Sequence, residues 1–400
     1  MSGKRKTVVR KEYLARLHAG KDDVDVIKVI TGIRRCGKST LMEQYADLLI
    51  SEGVAKEQII HINLESMDYD WIESKSQLYD VIRAKTVPGI MYILLDEVQR
   101  ISDWEKAING LAANEDIDLY ITGSNAYLLS SELATYLSGR YIEIKMLPLS
   151  FKEFLCLNPV DAENNREQRF MQYIWLGSMP LIDLNRDREY TANLLQGVYN
   201  TIIYKDIEQW VKISDPVQLR NIMNFLMHNI GNITSSNNIA KYTGLSQPTI
   251  RSYLQALERS YIIYKANRYD IRGKKLLKTL EKYYVADTGM RNALLGSSAG
   301  DDISRQIENI VYLELIRRGY EVNVGCYRDL EVDFTAVKNN HVEYYQITQT
   351  MLPENVYQRE TASLLSVDDN FPKTILSLDT MVRHLAGGIQ HKNLIDWLLE

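Results

Sequence analysis

Along the first part of this 400-residue chain, short apolar runs alternate with stretches whose apolar residues recur at helical spacing. Val26-Ile27-Lys28-Val29-Ile30, Ile59-Ile60-His61-Ile62-Asn63-Leu64, Met91-Tyr92-Ile93-Leu94-Leu95, Asp118-Leu119-Tyr120-Ile121-Thr122-Gly123 and Tyr141-Ile142-Glu143-Ile144 have the length and composition of strands. Their near-continuous apolarity predicts burial on both faces. Leu41, Met42, Tyr45, Leu48 and Leu49 define a helix after the first strand, and a shorter amphipathic helix is expected from Val9 to His18, ended by Gly20. Strands separated by helices call for a parallel sheet clothed in helices, an α/β domain over residues 1–148 that closes at Pro148.

The pattern then changes. Phe151, Phe154 and Leu155, followed by Phe170, Tyr173, Ile174 and Leu176, form helical faces broken at Gly177-Ser178-Met179-Pro180. Residues 149–215 are therefore expected to be a helical lid or linker. Residues 216–290 read as a winged helix. Leu219, Ile222, Met223 and Leu226 line a first helix, Ile239 and Ala240 a second, and Ile250, Tyr253, Leu254 and Leu257 a third, after the turn Gly244-Leu245-Ser246. Residues 300–400 read as helix, three strands, helix, strand; in Leu330-Glu331-Val332-Asp333-Phe334-Thr335-Ala336 strict alternation turns Glu331, Asp333 and Thr335 to one face.

Candidate chemistry starts between the first strand and its helix. Gly32-Ile33-Arg34-Arg35-Cys36-Gly37-Lys38-Ser39 has the spacing of a phosphate-binding loop, Gly, four residues, Gly-Lys-Ser, in the strand-then-helix context that loop needs. Glycines allow the backbone to wrap a phosphate so that N–H groups and the helix N-terminus face the anion. The candidate nucleotide-binding residues are Gly32, Ile33, Arg34, Arg35, Cys36, Gly37, Lys38, Ser39 and Thr40; Lys38 is expected to reach the β- and γ-phosphates and the Ser39 hydroxyl to hold Mg2+. The third strand ends abruptly in Asp96-Glu97, and a buried parallel strand delivers such carboxylates at its C-terminal edge, where ligands of α/β sheets bind. Asp96 is expected to hold the metal and Glu97 to polarise the attacking water.

Composition narrows the remainder. Apolar content of 45% suffices for packed cores, and a net charge of -5 implies no global attraction to nucleic acid, so any such contact needs a local patch. One candidate patch follows the third winged-helix segment: Lys265, Arg268, Arg272, Lys274, Lys275, Lys278 and Lys282, with Tyr264 and Tyr269 interleaved. Arg251, Arg272, Lys274, Lys275 and Lys278 are the candidate DNA contacts, against the alternative of a solvated protein-contact module. Cys36, Cys156 and Cys326 are far apart and lack metal-ligand spacing, which reads as a reducing compartment. With no run of membrane-spanning length, a cytoplasmic protein without a membrane partner is expected.

The chain resembles bacterial and archaeal AAA+-type ATPases whose C-terminal half is a domain of unknown function. The resemblance lies in Thr31-Gly32-Ile33-Arg34-Arg35-Cys36-Gly37-Lys38-Ser39-Thr40, Leu95-Asp96-Glu97-Val98-Gln99, Thr122-Gly123-Ser124-Asn125, Ser138-Gly139-Arg140 and Leu147-Pro148-Leu149-Ser150-Phe151-Lys152-Glu153-Phe154. It implies ATP rather than GTP, and no Asn-Lys-x-Asp guanine reader opposes that. It further implies that Asn125 orients water near the γ-phosphate and that Arg140 serves as a finger on a neighbouring subunit's nucleotide. Plain alternatives remain: a strand-ending turn for Asn125 and an exposed helix-terminal charge for Arg140.

The final section resembles the restriction-endonuclease-like fold, in which an acid on one strand joins an acid-x-lysine on the next to bind Mg2+. Here the supporting helix acid is Glu308 and the strand acid Asp333, but the acid-x-lysine positions are Gln346 and Thr348, so the site is read as degenerate. Three readings follow. The first is a Mg2+-dependent ATPase acting as a nucleotide-controlled conformational switch; the second a DNA-binding regulator whose oligomeric state ATP sets; the third, least supported, an ATP-gated nuclease.

Overall fold

A computed structural model describes residues 7–114, 116–124, 139–160, 165–207, 216–296 and 302–400. It divides into two compact units: Met1–Pro148 with Arg259–Tyr261, and Leu149–Glu258 with Ile262–Glu400.

In the first unit, β1 (Ile27–Thr31), β2 (Ile59–Asn63), β3 (Met91–Asp96), β4 (Ile117–Gly123) and β5 (Tyr141–Lys145) form a sheet of order β2-β3-β4-β1-β5, every pairing parallel. The five runs picked out by apolarity are these strands. Every residue of β1, β3 and β4 is buried, whereas edge strands β2 and β5 keep partly exposed positions; double-sided cover is why the central runs are unbroken. The helices are α1 (Lys11–His18), α2 (Lys38–Ser51), α3 (Lys75–Ala84) and α4 (Trp104–Ala112). Leu78 and Ile82 of α3 and Trp104, Ile108 and Leu111 of α4 pack on Ile27, Val29, Ile93, Leu95, Leu119 and Ile121, one face of the sheet.

On the other face the strand interior is polar. Lys28 Nζ lies 2.6 Å from Asp118 Oδ1, both side chains being fully buried, while Asp118 Oδ2 accepts from the Tyr120 hydroxyl and the Asp22 N–H, each at 2.9 Å. Tyr120 in turn pairs with Tyr45 of α2 at 2.8 Å. Burial pushes the Asp118 carboxyl above its usual range, against the pull of Lys28.

The second unit opens with α5 (Phe151–Leu157), α6 (Arg166–Leu176) and α7 (Arg188–Thr201). Ser150 and Glu153 form a reciprocal cap at the start of α5. Phe151, Phe154, Phe170 and Tyr173 stack edge and face between α5 and α6. Three further helices follow, α8 (Pro216–His228), α9 (Ser236–Thr243) and α10 (Gln247–Arg259), with the short β6 (Ile233–Thr234) between the first two. Next come the antiparallel hairpin β7 (Ile263–Asp270) and β8 (Lys275–Val285), α11 (Thr288–Leu295) and α12 (Ile303–Arg317).

The chain closes with β9 (Glu321–Tyr327), β10 (Leu330–Lys338), β11 (His341–Ile347), α13 (Glu354–Ser366), β12 (Lys373–Ser377), β13 (Gln390–Asn393) and α14 (Leu394–Trp397). One eight-stranded sheet, ordered β13-β12-β11-β10-β9-β7-β8-β6, runs through all of these strands. The hairpin joins the C-terminal strands through parallel pairing of β7 with β9, at Arg268 to Asp270 against Val324 to Cys326. Nothing in the local pattern announces that seam, because it depends on strands some fifty residues apart finding each other's edges. Among the described residues no helix is long and apolar enough to cross a membrane.

Candidate nucleotide site

The phosphate loop leaves β1 at Gly32 and enters α2 at Lys38. Gly32 has φ +147°, and a Cβ there would lie 2.1 Å from the Met146 carbonyl oxygen, so only glycine fits. Gly37, at φ +105°, caps α2, and Arg35 between them is also left-handed at φ +69°. This concentration of positive φ aims the loop's N–H groups into one concavity beside the start of α2. Ile33 and Cys36 are fully buried beneath it, Arg35 is exposed, and Ser39 and Thr40 are half-buried. Burial raises the Cys36 thiol, which makes it a packed residue and not a reactive one.

Lys38 Nζ is 4% exposed and donates to the Gly32 carbonyl at 3.0 Å, with Glu97 Oε1 at 3.9 Å. Asp96, the last residue of β3, is fully buried. It is hydrogen-bonded by the Ser39 and Thr122 side chains, and burial pushes its carboxyl above the usual range. Its Oδ2 has no hydrogen-bond partner. An orphaned carboxylate oxygen beside a serine hydroxyl and a lysine is a costly arrangement for an inert core, but it fits a hard cation that takes oxygen ligands. Glu97 follows in a left-handed conformation, φ +58°, which turns its side chain back toward Lys38.

Strand order completes the site. Because β4 lies between β1 and β3, Thr122 reaches Asp96 and also accepts the Glu97 N–H at 3.1 Å. Ser124 receives Arg34 Nη2 at 3.4 Å and Gln99 Nε2 at 3.5 Å, and the Gln99 amide also binds Glu97 Oε2. Arg34 pairs with Glu65 at 3.2 Å. Gln99 and Thr122 lie within the stretches that carry the family resemblance, but the resemblance implies no role for them, and Glu65 lies in none; the signal for Thr122 is its place, like Asp96, at the C-terminal end of a buried strand. Asn125 lies outside the described residues. Arg140 is exposed and precedes β5, where its carbonyl accepts the Ile27 N–H at 2.9 Å. It thus sits at the N-terminal edge of the sheet, about 15 Å along β1 from its own phosphate loop.

In the second unit, Arg251, Arg272, Lys274 and Lys275 are exposed, the last three at the tip of the β7–β8 hairpin; Lys278 lies in β8, its side chain outside the described residues. Lys282 does not belong with them. It is 3% exposed and bridges Glu308 at 3.0 Å and Glu331 at 2.8 Å, within the stretch Lys282 to Val285 that is buried throughout. The candidate nuclease positions Glu308, Asp333 and Gln346 gather around it. Glu308 also accepts from the Tyr284 hydroxyl at 2.7 Å, Asp333 Oδ2 from the Ile347 N–H at 2.8 Å, and Gln346 donates to Glu360 at 2.7 Å. Thr348 donates to the Thr350 carbonyl at 3.2 Å. Desolvation and the Glu308 charge hold the Asp333 carboxyl well above the usual range. No group of three potential metal ligands exists among the described residues.

A serine, histidine and aspartate also meet at the ends of β12 and β13. His391 Nδ1 accepts the Arg383 N–H at 2.8 Å, so the ring proton is on Nε2 and points at Ser377 Oγ, 2.8 Å away. The Ser377 hydroxyl then donates to Asp379 at 3.1 Å. Burial lowers the His391 pKa. A histidine that donates to the serine cannot take its proton, so this cluster pins strand ends and is no nucleophile.

Residues 25–155 match the AAA domain family, and residues 167–301 a Domain of unknown function (DUF8612). A Haemophilus influenzae protein described as uncharacterized is 38% identical over 401 residues, covering 98% of this chain and 99% of that one. Another from Methanocaldococcus jannaschii is 29% identical over 332 residues, covering 78% and 73%. Among solved structures, the replication initiator DnaA bound to AMPPCP and single-stranded DNA overlaps 63% of this chain and 89% of its own, at 16% identity and a TM-score of 0.33, a likeness that carries no argument. The fold and the family match define an AAA-type domain. The chain belongs to the family of that Haemophilus protein, with its AAA domain at residues 25–155.

Proposed function

We propose that the first unit binds ATP with Mg2+ and hydrolyses it to ADP and phosphate, and that nucleotide state repositions the second unit. The observation that carries this is the unpartnered Oδ2 of buried Asp96, beside Ser39 and Lys38 and one residue from Glu97. Lys38 exchanges the Gly32 carbonyl for phosphate oxygens, since an ammonium gains more from a phosphate than from a neutral carbonyl. Ser39 and Asp96 would hold the magnesium ion, which supplies neutralisation of charge developing on the phosphates. Glu97 polarises the attacking water once the Gln99 amide releases it. Asn125 orients that water, and Arg140, exposed and distant from its own loop, acts on the nucleotide of a neighbouring copy in a homo-oligomer.

Residues 149–215 act as lid, residues 216–290 as a winged helix, and residues 300–400 keep a restriction-endonuclease-like architecture without its chemistry, all in the cytoplasm. Phosphate release by wild type and Glu97→Gln tests the reading. The variant should lose about 10²–10⁴-fold in rate while still binding nucleotide. Equal background release from both would leave only a nucleotide-binding protein.

A second reading has a specific observation behind it. Arg272, Lys274 and Lys275 are exposed together at the hairpin tip, and Arg251 is exposed on α10, cations suited to DNA phosphates. Gel shifts at several salt concentrations decide it: the salt slope should fall by about three when Arg272, Lys274 and Lys275 all become Glu, and absence of binding at low salt removes the reading.

A further inference from the structure

Arg10 lies just before α1 and is 3% exposed. Its guanidinium donates through Nη1 to the Cys36 carbonyl at 3.2 Å, and through Nη2 to the carbonyls of Leu147 at 2.9 Å and Pro148 at 3.4 Å. One planar fork therefore joins the phosphate loop to the peptide by which the chain leaves β5. The same two segments meet directly. Met146 N–H donates to the Thr31 carbonyl at 2.7 Å, and the Met146 carbonyl lies where a Cβ of Gly32 would be.

Tyr13, whose ring lies 4.7 Å from the Arg10 guanidinium carbon, accepts the Leu147 N–H on its hydroxyl at 3.1 Å. The main chain that carries the fork is tied to the helix after the loop: Gln44 of α2 accepts the Arg10 backbone N–H at 3.2 Å and donates to the Val8 carbonyl at 2.8 Å. Arg10 thus touches the loop, the helix the loop opens, and the peptide after β5 that runs to Pro148, where the first unit's main stretch ends.

We propose that Arg10 is a positioning residue that ties the conformation of the phosphate loop to that of the exit peptide Met146–Pro148, so that phosphate in the loop is registered where the chain passes into its second unit. The inference rests on the nucleotide reading above. Phosphate captured by the loop's N–H groups reorients its peptides, including that of Cys36. A rigid fork bonded at both ends cannot follow one carbonyl without pulling on the others, whereas a lysine offers only a point charge on a flexible stem.

Amide hydrogen exchange on the full chain, with and without a non-hydrolysable ATP analogue and Mg2+, tests this. In wild type, nucleotide should slow exchange at Met146 and Leu147 by about fivefold, the effect of one hydrogen bond. Arg10→Lys should lose that slowing yet keep slowing in α2 and nucleotide affinity within about threefold. Tyr13→Phe removes only the Leu147 acceptor, and should lose slowing at Leu147 while keeping it at Met146, which guards against a misfolded Arg10 variant. Wild type that binds the analogue but slows only in the loop and α2 overturns the inference alone, as does Arg10→Lys behaving like wild type. A wild type that binds no nucleotide overturns the nucleotide reading and this inference with it.

Discussion

The acids at the end of β3 in the first unit and those around Lys282 in the second differ in what their carboxylates still lack. At the end of β3, Asp96 keeps a buried oxygen without a partner, next to residues in left-handed conformations at Arg35, Gly37 and Glu97. In the C-terminal sheet the acids are answered by the protein itself: Glu308 by Lys282 and Tyr284, Asp333 by the Ile347 N–H, Glu360 by Gln346 and Arg359. The Lys282 ammonium lies between Glu308 and Glu331 there. Unsatisfied groups and local strain are expensive, and a fold keeps them where a ligand will relieve them. A cluster whose members satisfy one another is a structural device.

The sharpest way to break this contrast is to make the same change in both clusters. Asp96→Asn should lower ATP hydrolysis by about 10²–10⁴-fold, an effect of the size seen when a group aimed at transition-state charge is removed, whereas Asp333→Asn should leave hydrolysis at the wild-type rate. Equal losses in a steady-state phosphate assay would erase the distinction.

Lys282→Met comes next. It leaves Glu308 and Glu331 facing each other without their cation, and should cost about 3 kcal/mol in denaturant unfolding, the lower end for a broken buried pair because Glu331 is one-third exposed. An unchanged unfolding midpoint would show that the lysine merely fills space.

The smallest effect is one of pH. A carboxyl whose folded pKa is raised, as that of Asp333 is, favours the folded state fully below its unfolded pKa of about 3.9, and loses that contribution as pH rises through the folded value. Wild-type stability should therefore decline as pH rises from about 3.9 through that folded value, and Asp333→Asn should flatten the decline. A steeper decline in the variant would reverse the sign assigned to this group.

How far the sequence could be read depended on whether a residue's role is set by its neighbours in the chain. Gly32, Gly37, Lys38 and Ser39 were legible because a phosphate loop is a local object, made by consecutive peptides between a strand and a helix. Asp96 and Glu97 were legible because an apolar run that stops at two acids already places them at a strand's ligand-binding edge. The contacts of Thr122, Gln99 and Arg10 were not, although the first two stand within the stretches of resemblance, since those contacts cross 26, 25 and 137 residues of chain to Asp96, Ser124 and Leu147. Lys282 shows the converse: composition grouped it with Arg272, Lys274 and Lys275, but burial of the end of β8 against Glu308 and Glu331 removed it from that surface.

By itself, then, the sequence determined the strands of the first sheet, the loop that follows β1 and the acids that end β3, because burial periodicity and glycine conformations are written within a few residues. Only the tertiary structure decided that β4 separates β1 from β3, that β7 pairs with β9 to make one sheet of the second unit, and that one acidic cluster is open and the other closed. Those outcomes depend on which strand edges meet and which charges share a dry space, and both are properties of contacts between segments far apart in the chain.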